Sequence, residues 1–213
     1  MELEHVLPRD IEHRSFEIIE EELREQGIRL DPVYAPVIKR CIHTSADFSY
    51  AESLTFSDGV MEKAMDAIRR GAVIVTDTQM AMSGISQKTL ERFGGRVLNF
   101  MKDPDVAARA KAEGTTRAVA CMDKAAELKQ PVIFAIGNAP TALIRLYELI
   151  QEKKLRPELI IGVPVGFVNV VQSKELILQT DVPYIIARGR KGGSNIAACI
   201  CNAILYQMVP ERG

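Results

Sequence analysis

Residues 40 to 47 read RCIHTSAD, and His43 is one of only three histidines in the chain. An imidazole of ordinary pKa, ~6.5, can both give and recover a proton near neutrality. Three residues earlier, Arg40 carries a fixed guanidinium suited to binding a carboxylate. If 32 to 43 forms a helix opened by Asp31-Pro32, Arg40 and His43 share a face, while Val33, Val37, Ile38, Cys41 and Ile42 can pack inward. The stretch offers proton transfer beside an anion-binding group, with the Thr44 hydroxyl next in line. Taken alone, His43 could equally end its helix as a C-terminal cap or bind a metal. His5 and His13 fall in an acidic N-terminal stretch with no motif around them and are read as structural.

Such groups need a scaffold, and the hydrophobic pattern supplies one. From Ala72 onward, short β-branched runs alternate with longer segments of helical period, as expected for a parallel sheet covered on both faces. The predicted strands are 72 to 77, 96 to 100, 131 to 136, 158 to 163 and 183 to 187. The helices between and after them fall near 85 to 93, 104 to 128, 140 to 154, 171 to 179 and 193 to 208. Helices over 8 to 26, 32 to 43 and 58 to 70 precede the sheet. The expectation is one domain over 1 to 213: a helical extension over 1 to 70 and a five-stranded α/β core over 71 to 213.

In open α/β sheets, ligands bind beyond the carboxyl ends of the strands. Four segments leave these strands with glycine, proline and small polar residues: 76 to 85 (TDTQMAMSGI), 137 to 143 (GNAPTAL), 162 to 175 (GVPVGFVNVVQSKE) and 187 to 198 (ARGRKGGSNIAA). None has the spacing of a nucleotide-binding loop. They do provide anion capacity, because Arg188, Arg190 and Lys191 sit beside Gly192-Gly193-Ser194 at a predicted helix N-terminus. Asp77, Asn138 and Gly166 stand at the expected switch region, and the loops that carry them should form a pocket with His43. Asp77 could hydrogen-bond either its neighbouring loop or a ligand.

Bulk properties narrow the classes. The 213 residues are 47% hydrophobic and 26% charged, and 27 basic side chains nearly balance 28 acidic ones. This is the composition of a globular protein with no nucleic-acid or membrane surface. The acidic N-terminus, MELEHVLPRDIEH, lacks the regions of a signal peptide, so a cytoplasmic location is expected. Cys41, Cys121, Cys199 and Cys201 show no metal-ligand spacing and read as reduced core residues.

The ordered set of motifs resembles the precorrin-8X methylmutase family of cobalamin biosynthesis. It comprises R-S-F at 14 to 16, R-C-I-H-T-S-A-D at 40 to 47, T-D-T-Q-M at 76 to 80, G-N-A-P-T-A-L at 137 to 143, G-V-P-V-G-F-V-N-V at 162 to 170, S-K-E at 173 to 175 and G-R-K-G-G-S at 189 to 194. The resemblance implies a flavodoxin-like, three-layer α/β/α fold with strand order 2-1-3-4-5, acting as a homodimer with active sites near the subunit interface. It implies migration of a methyl group from C11 to C12 of a corrin precursor, precorrin-8X or cobalt-precorrin-8, giving hydrogenobyrinate or cobyrinate. It makes His43 the acid/base residue and maps substrate contacts onto Ser15 and Arg40.

Such a shift is an isomerisation that needs no redox cofactor, ATP or methyl donor, so no cofactor and no protein-bound metal are expected. A flat apolar ring fringed by carboxylates calls for a broad slot with donors around its rim. Arg14, Arg40, Arg117, Arg188, Arg190 and Lys191 are rim candidates, with Thr44, Asn138, Gly166 and Ser194 as further contacts; Met80, Met82 and Phe167 could line the slot. A non-catalytic corrinoid carrier is the alternative, separated from an enzyme by turnover. A nucleotide or phosphate-sugar enzyme would rest on fold analogy alone.

Overall fold

The computed structural model describes residues 5–209. Residues 1 to 4 and 210 to 213, the ends of the expected domain, lie outside the described residues.

Three helices precede the first strand: α1 (Ile11–Glu25), α2 (Ala35–Ser45) and the single-turn α3 (Tyr50–Ser53). A short strand, β1 (Leu54–Phe56), and α4 (Val60–Arg69) complete the extension. The alternating part then runs β2 (Val73–Thr76), α5 (Gln79–Gly84), α6 (Gln87–Glu91), β3 (Val97–Leu98), α7 (Pro104–Ala112), α8 (Arg117–Ala126) and β4 (Val132–Ile136). It closes with α9 (Pro140–Gln151), β5 (Leu159–Gly162), α10 (Val170–Leu178), β6 (Tyr184–Ala187) and α11 (Ser194–Gln207).

The expected five-stranded sheet is six-stranded, in the order β1-β6-β5-β4-β2-β3. β2 to β6 pair in parallel, and β1 adds to the edge antiparallel to β6, with Leu54 opposite Ala187. Three residues are too few to show a period of two, and much of the pairing comes from atoms just outside the strand. The Ser57 amide donates to Tyr184, the Ser57 hydroxyl accepts from the Tyr184 amide, and the Arg188 amide donates to Ser53. The extension is therefore not purely helical: β1 stitches it to the sheet and sets the segment after α2 beside the turn after β6.

Side chains alternate between two apolar layers, as the two-residue period of a strand requires. Ile74, Ile133, Ala135, Leu159 and Ile161 face the side covered by α1, α2, α4, α5 and α11. Val73, Val75, Val132, Phe134 and Ile160 face α7, α8, α9 and α10. The helix expected over 104 to 128 is two helices, broken where Gly114 adopts φ +63°. That over 85 to 93 is replaced by α5 and α6, separated by Ile85 in extended conformation. The second predicted strand, 96 to 100, shrinks to a two-residue edge strand. Val33 is exposed at 55% rather than packed inward.

Candidate active site

His43 does not end its helix. The Thr44 and Ser45 hydroxyls donate back to the carbonyls of Arg40 and Cys41, and α2 continues to Ser45. Ala46 then turns at φ 53°, its amide donating to Ile42. A non-glycine residue in the left-handed region costs of order 1 kcal/mol and needs surrounding contacts to hold it. Those contacts include Asp47, which accepts the Ser49 amide at 3.0 Å.

The imidazole of His43 is exposed and stacks on Phe16, with ring centroids 5.3 Å apart and planes 25° from parallel. Phe16 comes from the R-S-F turn of α1. Arg40, one turn before His43, lies with its guanidinium 5.3 Å from the centre of the Phe16 ring and 5.1 Å from that of Tyr206 in α11. Its Nη2 meets Glu12 Oε1 at 2.8 Å. Stacking and pairing from three helices fix both side chains, and Phe16 is the residue shared between them. A cavity of about 280 Å³ opens beside Arg40, lined by Phe16, Pro36, Lys39, Ala203 and Tyr206 among others. Ser15 is half-buried with its hydroxyl donated to Ile11, and Arg14 meets Glu17 at 3.2 Å.

The second group of candidates forms a linked platform at the carboxyl ends of the strands. Asp77, 1% exposed, accepts the amides of Gly137, Asn138 and Ala139 at 2.9, 2.8 and 2.6 Å. Burial pushes its carboxyl above the usual range, and these three N–H groups pull against that shift. In this position Asp77 anchors the 137 to 139 loop, and that leaves Asn138 exposed on the loop's outer side. Ser194 shares a hydroxyl–hydroxyl hydrogen bond of 2.8 Å with Thr78, whose own oxygen caps α5 by accepting the Ala81 amide. A side chain at Gly137 would come within 2.6 Å of the Ser194 backbone. The Gly193 amide donates to Val163 and the Gly166 amide to Arg190. All four loops are thus held to one another, the first through the Asp77 and Thr78 side chains and the rest through backbone atoms, with Gly192 at φ +155° packed onto the Val163 carbonyl.

Above this platform, Arg190 lies 5.3 Å from the centre of the Phe167 ring. Phe167 is 80% exposed, and Met80, Val165 and Val168 add further exposed apolar surface. Met82 instead is half-buried and packs against the core. Arg188 is already engaged, making two bonds to the Glu175 carboxylate at 3.0 and 2.9 Å. Arg117 is exposed at the start of α8, where Thr116 meets Thr141 of α9 at 3.1 Å, so it flanks the GNAPTAL segment.

Two contacts join the histidine group to the platform. Lys191 Nζ donates to Asp47 Oδ2 at 2.6 Å and to Ser49 Oγ at 2.9 Å. Thr44 Oγ1 also reaches Cys199 Sγ in α11 at 3.2 Å. The Cys41 and Cys199 thiols share a hydrogen bond that raises the first well above its ordinary value and, with Thr44, lowers the second. All four cysteines are free and buried. No group of three or more potential metal ligands occurs among the described residues, and no described helix is long and apolar enough to cross a membrane.

Phe16, Glu12, Tyr206, Asp47 and Lys174 were not among the candidates drawn from sequence. Phe16, Asp47 and Lys174 lay within the motifs R-S-F, R-C-I-H-T-S-A-D and S-K-E, but their contacts, like those of Glu12 and Tyr206, depend on distant segments. Lys174 is fully buried and bonds the carbonyls of Gly189 and Lys191. Burial alone pushes its ammonium down to about 8 from 10.5. Between those values the unfolded chain holds the proton more tightly, so this group's contribution to stability rises with pH and is lost as pH falls through about 8. Relative to a Lys174→Met protein, the wild type is expected to gain stability between about pH 7.5 and 10 in urea titrations, by roughly 2 to 3 kcal/mol. A difference independent of pH would contradict a charged buried Lys174.

Fold and site define an α/β protein with four linked loops at the carboxyl edge of a doubly covered sheet and an exposed histidine on a helix of its N-terminal extension. Residues 10–207 match the model of the precorrin-8X methylmutase family. The chain is 44% identical to cobalt-precorrin-8 methylmutase of Salmonella typhimurium, over 94% of this chain and 96% of that one. It is 36% identical to precorrin-8X methylmutase of Pseudomonas aeruginosa, over 91% and 93% of the two chains. A solved precorrin-8X methylmutase from Thermus thermophilus superposes with a TM-score of 0.85 at 36% identity, covering 94% of this chain and 98% of that one. The protein belongs to the precorrin-8X methylmutase family.

Proposed function

We propose that the protein is an isomerase of corrin biosynthesis that moves the methyl group of precorrin-8X or cobalt-precorrin-8 from C11 to C12, giving hydrogenobyrinate or cobyrinate. The observation that carries the catalytic role is the imidazole of His43, exposed yet stacked on Phe16 and one turn from Arg40. A proton delivered by His43 to a ring nitrogen next to the acceptor carbon withdraws electron density and makes that carbon a better terminus for the methyl group. The same imidazole recovers the proton once the rearranged ring forms. General acid catalysis of this kind supplies about 10²–10⁴-fold, and the remainder comes from holding the macrocycle in a reactive geometry.

The platform supplies that hold. Phe167 and Met80 offer apolar surface to the ring face, and Arg190, Arg117, Arg40 and Arg14 offer charge to its carboxylates. Ser15, Thr44, Asn138, Gly166, Lys191 and Ser194 would take shorter polar contacts, while Asp77 acts by holding its loop. The extension and core work as one domain over 1 to 213, with its five parallel strands in a flavodoxin-like arrangement, in the cytoplasm. An exposed catalytic ring also suits a homodimer in which a second subunit closes the site, and sedimentation would report that assembly.

Turnover separates the enzyme from a corrinoid carrier. Catalytic amounts of protein mixed with the cobalt-free or the cobalt-containing precursor should change the absorbance spectrum stoichiometrically with substrate rather than with protein. A change that stops at one equivalent would identify a carrier. Arg40→Ala is expected to weaken product binding by ~1–2 kcal/mol and to flatten its salt dependence, since the carboxylate contacts are partly exposed and screened. Titration with hydrogenobyrinate at several ionic strengths measures both; an unchanged dissociation constant would remove Arg40 from the rim.

A further inference from the structure

The turn from 189 to 193 carries Arg190, Lys191 and the entry to α11, but it has no regular structure of its own. Gly189, Gly192 and Gly193 adopt φ of +79°, +155° and +135°. Its carbonyls therefore lack the partners that a helix or strand would give. Lys174, from the S-K-E stretch of α10, supplies them: Nζ donates to the Gly189 carbonyl at 2.8 Å and to the Lys191 carbonyl at 2.9 Å. The carbonyl between them, that of Arg190, accepts from the Gly166 amide at 3.2 Å. Three successive carbonyls are held inward, and Arg190 and Lys191 are left exposed.

We propose that Lys174 is a positioning residue of the substrate site, fixing the 189 to 191 turn from behind so that Arg190 and Lys191 are presented to the ligand and to the segment after His43. The inference rests on the reading of this platform as the corrin site. Lys191 transmits the position onward, through its bonds to Asp47 and Ser49. Lys174 touches neither the platform's outer surface nor the histidine.

A role in folding alone does not account for the choice of residue. Buried ions are costly, and apolar replacements of similar volume are often neutral or stabilising. Lys174 makes no ion pair among the described residues. Glu175 beside it is committed to Arg188. In α9, packed against α10, Arg145 is bound to Asp123 and Glu148, and Tyr147 is the other titratable group near that face. β6 contributes Tyr184, and β5 contributes no titratable side chain. What the ammonium does reach is the turn, and both of its hydrogen bonds go there. The lowered pKa of Lys174 follows from its burial, with no carboxylate beside it to offset the shift.

The test uses full-length Lys174→Met and Lys174→Gln proteins, titrated with hydrogenobyrinate and assayed with precorrin-8. Lys174→Met should fold, with the product dissociation constant and KM raised about tenfold, ~1.4 kcal/mol, and a smaller fall in kcat. Lys174→Gln keeps two N–H donors on a shorter, uncharged stem and should lie between Met and wild type. Wild-type affinity and KM in a folded Met variant would overturn the proposal, as would an effect confined to kcat. Failure of both variants to fold would place Lys174 in the fold rather than the site and overturn it too. Product affinity is the deciding signal, so a His43→Asn protein that still turned over would remove the acid/base reading while leaving this result to stand or fall separately.

Discussion

His43→Asn is expected to lower methyl-shift turnover by about 10²–10⁴-fold while product affinity and melting temperature stay close to wild type. Asparagine keeps a similar size and a hydrogen-bond donor but cannot exchange a proton near neutral pH. Binding energy is spread over the ring faces and the carboxylate rim, whereas proton delivery is concentrated in one imidazole. Removing an interaction needed only in the transition state lowers kcat more than affinity. Stability should barely change, because His43 is exposed and its main contact is one face of Phe16. His43→Ala should behave alike in turnover, with a slightly looser Phe16. Absorbance assays with precorrin-8, alongside product titration, measure the split. Loss of affinity and turnover in equal proportion would instead make His43 a binding residue.

The second large effect is expected at Asp77. Asp77→Ala removes both acceptors of three backbone amides in a site only 1% exposed. A buried donor left unsatisfied costs ~1–3 kcal/mol, and partial relaxation of the 137 to 139 loop will recover some of the sum. The expected loss is therefore ~3–5 kcal/mol of unfolding free energy, with product affinity reduced in the protein that remains folded. Asp77→Asn is a sharper comparison, since one of its two polar groups is a donor facing donors; it should lose ~1–3 kcal/mol. Urea denaturation and product titration together check this. An alanine protein within about 1 kcal/mol of wild type would mean that water replaces the carboxylate and that the loop needs no anchor.

Much of this framework could be read from the chain because its cause is local. Val73-Ile74-Val75-Thr76 and Val132 to Ile136 are continuous β-branched and apolar runs, which only a strand buried on both faces explains well. The loops after β2, β4, β5 and β6 stood out by their glycines, and the structure links them through the same residues: Gly137 for close approach to Ser194, Gly192 for contact with Val163. β1 was hidden because Leu54-Thr55-Phe56 has no periodicity to show and is defined by its partner, β6. The end of α2 was misplaced by two residues because hydroxyl bonds from Thr44 and Ser45 prolong it, an effect that propensity does not register.

The site divides along the same line. His43 and Arg40 were visible from residue type and spacing. The stack on Phe16 was not, since nothing in positions 14 to 16 says which helix they will face. Lys174 lies in S-K-E, a stretch quoted for its motif and given no role of its own, and only the fold reveals that its ammonium is enclosed. Asp77 could be read as either loop anchor or ligand contact; three amide bonds give it the first role in this structure. Arg188 was a rim candidate by proximity to Arg190 and Lys191, yet Glu175, thirteen residues away on α10, already holds it.

The central claim is that His43 moves a proton in the step that moves the methyl group. Its most direct test is single-turnover conversion of enzyme-bound precorrin-8 in H₂O and D₂O, for the wild type and for His43→Asn, with enzyme in excess so that product release does not enter. The account predicts a clear slowing of the wild-type reaction in D₂O, and a residual His43→Asn reaction that is far slower and insensitive to the solvent. Equal rates for the two proteins, with the same solvent effect in both, would contradict it and assign the proton transfer to another group.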